Sequence, residues 1–288
     1  MTEGHRQELL HAIVDNWDRT FDPGNCLLQT GDAADATAYE SIHYALALLE
    51  TAERSRVGRA EAILGRILDR QAYLRRIASS TPVDPASLGM ILLLVWHQHH
   101  RRLSTPLCQR VTETIRDTAG LVCKDAVDTR GIFVLIAAGE MSFDSSLIHN
   151  GLARLRDLRL TPSPADDFAA NLIALHAIEN HVRHPDALVL TEKLLVRAWR
   201  QIAQRPSGNP LCLPNGLSPL AVLFSRITCG AARIDLPVRL SPRRKSGWLL
   251  SLIVNPRLPD DIAEKLTASS VPAGNIGATG RATAALLA

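Results

Sequence analysis

The sequence predicts an all-α fold of antiparallel helical hairpins arranged as an incomplete α/α toroid, with an open α-solenoid as the alternative. Three observations carry this. Hydrophobic residues make up 46% of the 288-residue chain but aromatics only 4%. The interior must therefore be Leu, Ala, Ile and Val; Leu and Ala favour helix, and runs rich in β-branched residues are few. The helical stretches are also of two kinds. Residues 57–79 carry Arg59, Glu61, Arg66, Asp69, Arg70, Arg75 and Arg76 around an apolar stripe, whereas 85–100 (PASLGMILLLVWHQHH) contains no Asp, Glu, Lys or Arg. A helix apolar all round must be covered on every side, while a charged amphipathic one faces water. Finally, the two kinds alternate, as an inner layer inside an outer layer requires.

In chain order, helices are predicted over 3–18, 35–51, 57–79, 85–101, 104–124, 129–139, 143–159, 166–182, 186–204 and 217–229. Thr81-Pro82-Val83-Asp84-Pro85 separates the third from the fourth. Ser104 or Thr105 before Pro106 reads as an N-cap with proline in the first turn. Gly139–Ser142, Thr161–Pro164 and His184-Pro185-Asp186 supply the later breaks. Segments 35–51, 85–101, 129–139, 166–182 and 217–229 form the apolar class; 57–79, 104–124, 143–159 and 186–204 form the charged class. The presumed inner helices start 37 to 51 residues apart, a spacing expected of two-helix units. Residues 1–230 are taken as the body and 231–288 as an irregular extension. In the latter, Ser241–Ser246 (SPRRKS) reads as a basic loop, Trp248–Val254 as a short apolar element and Pro259–Leu266 as a last helix. The Ala/Gly/Ser/Thr-rich tail from Thr267 has too few large apolar residues to pack alone.

The formal charge of +3 is spread over the chain, and no basic stripe is interleaved with aromatics, so nucleic acid is not an expected partner. The N-terminal segment carries Glu3, Arg6, Glu8 and Asp15 and lacks the apolar core of a signal peptide. The longest apolar runs of the chain, Leu88–Trp96 and Gly131–Gly139, are too short to span a membrane. Cys26, Cys108, Cys123, Cys212 and Cys229 are odd in number and never form a CxxC pair, which predicts reduced thiols and a cytoplasmic protein.

Tyr44–Glu50 (YALALLE), Arg59–Leu64 (RAEAIL) and Ile67–Gln71 (ILDRQ) resemble the first hairpin of α/α-toroid proteins of the six-hairpin glycosidase and heparinase-like lyase type. Gly131–Glu140 (GIFVLIAAGE) with Leu152–Leu155 is similar to a later hairpin, and Thr191–Ala203 (TEKLLVRAWRQIA) to an outer helix. The resemblance spans about residues 35–225 and implies a toroid acting on a sugar or bulky small molecule. The chain departs from it at the polar motifs. Pro164–Leu172 (PADDFAANL) lacks the tyrosines of a Glu-Tyr-Asn-Ser-Pro-Thr-Tyr segment, and Leu213–Ala221 (LPNGLSPLA) replaces a Gly-Pro-x-x-Arg-Ala-Tyr loop. These departures remove the acid/base tyrosine and the cation that β-elimination would use.

Toroids gather function where inner helices begin, because dipoles and free backbone donors collect there. That singles out Asp32, Asp35, Tyr39, Glu40 and His43, with Tyr39 and His43 four apart on one face and Glu40 three from His43. Glu40 and His43 are the acid/base candidates. Asp35, Tyr39, Trp96, His97, Asp166, Asp167, Asn171 and His176 are the substrate-binding candidates; Glu40 and His43 equally could solvate a helix end, and Asp166-Asp167 could simply cap one. A terpene-cyclase-like reading of that aspartate pair lacks the first carboxylate of an Asp-x-Asp-Asp motif. His97, His99 and His100 spread over different helix faces, and His176, Glu179 and His181 do not share one, so no metal site is expected. No nucleotide-binding or nucleophile signature is present, and no cofactor is expected. Three functions remain: a lyase- or glycosidase-like enzyme on a small-molecule or sugar ligand, a ligand-binding or terpene-cyclase-like protein, and a non-catalytic helical scaffold. Oligomeric state is not legible.

Overall fold

The computed structural model describes residues 1–29, 34–51, 53–77, 84–124, 128–160, 165–203, 219, 222–223 and 242–256. Among these the protein is all-α, apart from one two-stranded pairing. The helices are α1 (Glu3–Asp18), α2 (Ala34–Glu50), α3 (Arg54–Ile77), α4 (Pro85–His99), α5 (Thr105–Val122), α6 (Thr129–Ser142), α7 (Ser145–Asp157), α8 (Ala165–His181), α9 (Pro185–Ala203) and α10 (Pro242–Ile253). A 3-10 turn over His100–Arg102 follows α4. Strands β1 (Phe21–Asp22) and β2 (Leu27–Leu28) pair antiparallel, Phe21 opposite Leu28. The tight turn between them is held by Gly24 N–H donating to Asp22 Oδ1 at 2.9 Å, with Asn25 on the other carboxylate oxygen.

The two classes of helix separate by burial. Every residue from Glu40 to Thr51 in and just after α2, from Ser87 to Val95 in α4, from Gly131 to Gly139 in α6 and from Leu172 to Ile178 in α8 is buried. The outer helices bury one stripe only: Leu107, Val111, Ile115, Ala119 and Val122 on α5, and Leu147, Gly151, Leu152 and Leu155 on α7. This follows from the sequence, because an apolar surface on all sides leaves no face that water can satisfy.

The hairpins α2–α3, α4–α5, α6–α7 and α8–α9 each pack internally, and α2, α4, α6 and α8 lie side by side in that order. Helix α10 touches α8 and also α1 and α2. The inner helices run in one direction. At their starts, Arg130 of α6 donates to Ser87 of α4 at 2.6 Å, and Thr129 of α6 donates to Asn171 of α8 at 2.7 Å. At their ends, Glu50 of α2 meets His99 of α4 at 2.9 Å, and Gln98 of α4 meets His181 of α8 at 3.3 Å. Arg6 of α1 joins this end, with its guanidinium on Glu50 at 2.5 Å and on the Leu252 carbonyl of α10 at 2.8 Å. Bonds between corresponding layers join residues about one hairpin apart: Ser104 with Glu61, Arg130 with Ser87, and Arg183 with Glu140 are each separated by 43 positions.

Besides the β1–β2 pairing, which the sequence reading did not expect, the structure differs from the expectation at several helix bounds. Helix α10 begins at Pro242, inside the stretch read as a basic loop, because Trp248, Leu249, Leu252 and Ile253 recur at helical spacing and are buried. The helix expected over 143–159 begins only at Ser145, since Phe143 ends α6 and Asp144 caps α7. The helix expected at Pro259–Leu266 and the tail beyond it lie outside the described residues, as does most of 217–229.

Candidate functional site

The starts of α2, α4, α6 and α8 come together as one polar cluster. Asp84 and Asp128 each cap their own helix, accepting from Ser87 N–H at 2.9 Å and Gly131 N–H at 3.0 Å. Between these caps lies Arg130, a residue the sequence reading passed over. Its Nε donates to Asp128 at 2.6 Å, its Nη1 to Ser87, and its Nη2 stands 3.9 Å from Asp84, with the side chain 35% exposed. Burial works against the Arg130 charge, but Asp128 and Asp84 outweigh it and hold the guanidinium above its ordinary range. The signal was present in Asp128-Thr129-Arg130-Gly131, an aspartate ahead of a helix start with a cation two residues on.

His43 is buried, and its ring packs 4.5 Å from that of Tyr39. Its Nδ1 lies 2.7 Å from the Tyr39 carbonyl, which can only accept, so Nδ1 carries the proton and Nε2 the lone pair. Burial pushes the His43 pKa down to about 4, opposed by that bond and helped by the Arg130 charge. At neutral pH the imidazole is therefore an uncharged acceptor. Glu40 is buried too, but its described bond runs to Trp17 Nε1 on α1 at 3.2 Å, so the two acid/base candidates turn toward different neighbours. Asn171 joins the cluster through Thr129, and Asp167 is exposed. Asp35 and Asp166 fall in the first turns of α2 and α8 with side chains outside the described set, and Asp32 lies outside it altogether.

Trp96 and His97 sit near the far ends of the inner helices. With Glu50 and His99 level, Tyr39 and Trp96 are eight residues apart along parallel axes, roughly 12 Å. Trp96 stacks on His100 at 5.2 Å, and His97 stacks on His181 at 5.0 Å. Burial, then the neighbouring charges of His181, Arg183 and His100, bring the His97 pKa down to about 4. Beside them, burial raises the Glu50 carboxyl, but His99 and Arg6 outweigh it and leave a net lowering. His176 belongs to neither end. It is fully buried between α8 and α9, its ring 6.3 Å from that of Trp199 and its Nδ1 3.0 Å from Glu179. Among the described residues neither His176 Nε2 nor Trp199 Nε1 has a hydrogen-bond partner.

The structure thus brings Tyr39, His43 and Asn171 to one end, with Arg130 and Ser87, and separates Trp96, His97 and His176 from them. Among the described residues no three His, Cys, Asp or Glu side chains are placed to hold a metal. No described helix is long and apolar enough to cross a membrane. Cys26, Cys108 and Cys123 are free thiols; Cys212 and Cys229 lie outside the described residues. No protein-family model, curated protein or solved structure matches this chain.

Proposed function

We propose that this protein is a non-catalytic binding scaffold, a degenerate relative of the toroid enzymes its sequence resembles. The observation that carries the reading is the burial of α2, α4, α6 and α8 on every face through their midsections. A chamber for a bulky substrate needs inner-helix faces that water or ligand can reach, and these stretches offer none. The polar groups at the helix starts are largely in use: Asp84 and Asp128 as caps, Arg130 on Asp128 and Ser87, Thr129 on Asn171. The sequence departures at 164–172 and 213–221 support the same reading. The sequence α2–α4–α6–α8–α10 and the return contact of α10 with α2 favour a closed toroid over an open solenoid. The free thiols of Cys26, Cys108 and Cys123 fit a reducing, cytoplasmic setting.

A thermal-shift screen of uronates, neutral sugars and terpenoid-like compounds tests this. A scaffold gives no saturable rise in Tm with any of them; a ligand bound in a chamber raises Tm with concentration.

A second reading is favoured by one observation, the fixed tautomer of His43 beside Tyr39 and Arg130. A small ligand with a hydroxyl and an anionic group could meet Nε2 and the guanidinium there. Because His43 is buried, His43→Ala leaves a void, and His43→Asn is the better test since its amide can still donate to the Tyr39 carbonyl. If this reading holds, a compound from the screen stabilises the native protein and loses its effect on the Asn variant.

A further inference from the structure

We propose that His97 and His181 form a latch between the ends of α4 and α8 that opens when these imidazoles are protonated. Helices α4 and α8 lie on either side of α6. Among the described residues the hydrogen bonds and ring contacts that join α4 to α8 are two, and both are made by His181, the last residue of α8. Its imidazole stacks on that of His97 at 5.0 Å, with the ring planes 17° apart. Its Nε2 lies 3.3 Å from Gln98 Nε2. The Gln98 amide nitrogen can only donate, so His181 Nε2 accepts, and this bond needs the uncharged ring. His97 Nε2 is buried and has no hydrogen-bond partner among the described residues, so a proton added there would lie where nothing accepts it. Two positive imidazoles held face to face would also repel one another. Both rings are half-buried, so parting them brings both to water.

The groups around the stack do not relieve this. Burial is the main cause that keeps His97 uncharged, and the charges of His181, Arg183 and His100 add to it. Glu50 of α2 favours a positive His181, but burial outweighs it, and that carboxylate is already engaged by Arg6 of α1 and His99 of α4. From α6, the Phe133 ring lies 6.5 Å from that of His181, and Glu140 accepts from the backbone N–H groups of Arg183 and His184. Arg102 of the 3-10 turn donates to the Leu49 and Glu53 carbonyls, and α10 meets Arg6 with the Leu252 carbonyl. Acid therefore favours a state in which the two rings part, which also takes the His181 ring off Phe133. The closed form takes up a proton on His97 near pH 4, while a ring returned to water does so near the ordinary 6.5. Between about pH 7 and about pH 5 the open state should gain about twentyfold from His97 alone.

The latch goes beyond the scaffold reading and does not depend on it. Amide hydrogen exchange of the full chain, read by mass spectrometry and corrected for the intrinsic rate at each pH, tests it. Protection in peptides covering 94–99 and 177–182 should fall about twentyfold from about pH 7 to about pH 5. The opening is local, so a peptide covering 87–92 should stay better protected than either end at both pH values. His97→Phe keeps a flat ring that cannot be protonated and should cut the fall to about fourfold or less. His97→Phe/His181→Gln, which keeps an acceptor for Gln98, should abolish it. His43→Asn, at the opposite end of the inner helices, should leave it unchanged, whereas global unfolding would make it flatter. Circular dichroism checks that each variant is folded, and His97→Gln carries the same expectation if the Phe variant is not. Unchanged protection in the wild-type ends, an equal fall in the His97 variants, flattening by His43→Asn, or equal protection of 87–92 and the ends overturns the proposal.

Discussion

Phe143 holds a backbone angle that its side chain disfavours. It ends α6 at φ 56°, in the left-handed region, and is 94% exposed. The strain is imposed by the turn: Asp144 N–H donates to the Gly139 carbonyl at 2.9 Å to close α6, and Asp144 then caps α7 by accepting from Ser146 and Leu147. Glycine adopts this conformation without the Cβ clash and loses no packing here. Phe143→Gly should therefore raise the unfolding free energy by about 1 kcal/mol, read from urea denaturation. A lower midpoint at unchanged slope would show that Phe143 makes contacts that stabilise the native chain. His43 gives a second residue-scale prediction. Folded, it takes up its proton near pH 4; unfolded, near the ordinary 6.5. Between those values the unfolded chain binds more protons, so stability should fall as pH drops from about 6.5 to about 4. His97, also lowered to about 4, adds to the slope. His43→Asn should flatten the dependence of unfolding free energy on pH across this window, and an unchanged profile would mean that another group sets it. The sequence reading found Tyr39, His43 and Asn171 because helical spacing and position at a helix start are local facts. It missed Arg130 because, although Asp128 is a local partner, the contacts with Ser87 and Asp84 that tie it to the start of α4 are not visible from spacing.

Helices α6 and α7 approach most closely where they exchange glycines for side chains. A Cβ on Gly151 would stand 2.5 Å from Ile136 Cγ1 and 3.2 Å from Leu135, and one on Gly139 would stand 2.7 Å from Ile148. Gly151→Ala should destabilise by about 2 kcal/mol, because the neighbouring backbone and branched side chains cannot all give way. Gly120 on α5 meets nothing within 4 Å, so Gly120→Ala should be neutral or stabilising by up to about 1 kcal/mol. Denaturation of both variants checks the contrast, and equal effects would contradict the close α6–α7 contact. Helix type and order were legible at this scale because the charge-free and charged stretches differ over many residues. Boundaries were less so. The α6–α7 break turns on Phe143 in a conformation usually given to glycine, and α10 starts within a run of cations that composition alone assigns to a loop. The β1–β2 pairing was missed because two-residue strands carry no periodicity.

For the whole molecule, the alternation of two helix classes gave the layering, and the common direction of the inner helices gave the gathering of Tyr39, His43 and Asn171 at one end. What the sequence could not give is whether the space between the inner helices is filled. A stretch such as Ser87–Val95 reads the same whether its inner face meets other side chains or a chamber. The packed interior is the central claim, since the scaffold reading depends on it. It is tested by placing single cysteines at Ile91, Leu92, Leu93 and Leu94 of α4, in a background where the five native cysteines are replaced. Four consecutive positions cover a full helical turn and so sample every face of α4. Thiol labelling under native conditions should leave all four unmodified until the protein is unfolded by denaturant. Rapid native-state labelling at any one of them, in a variant shown to be folded, would reveal an open chamber and return the interior to the list of places where a ligand could bind.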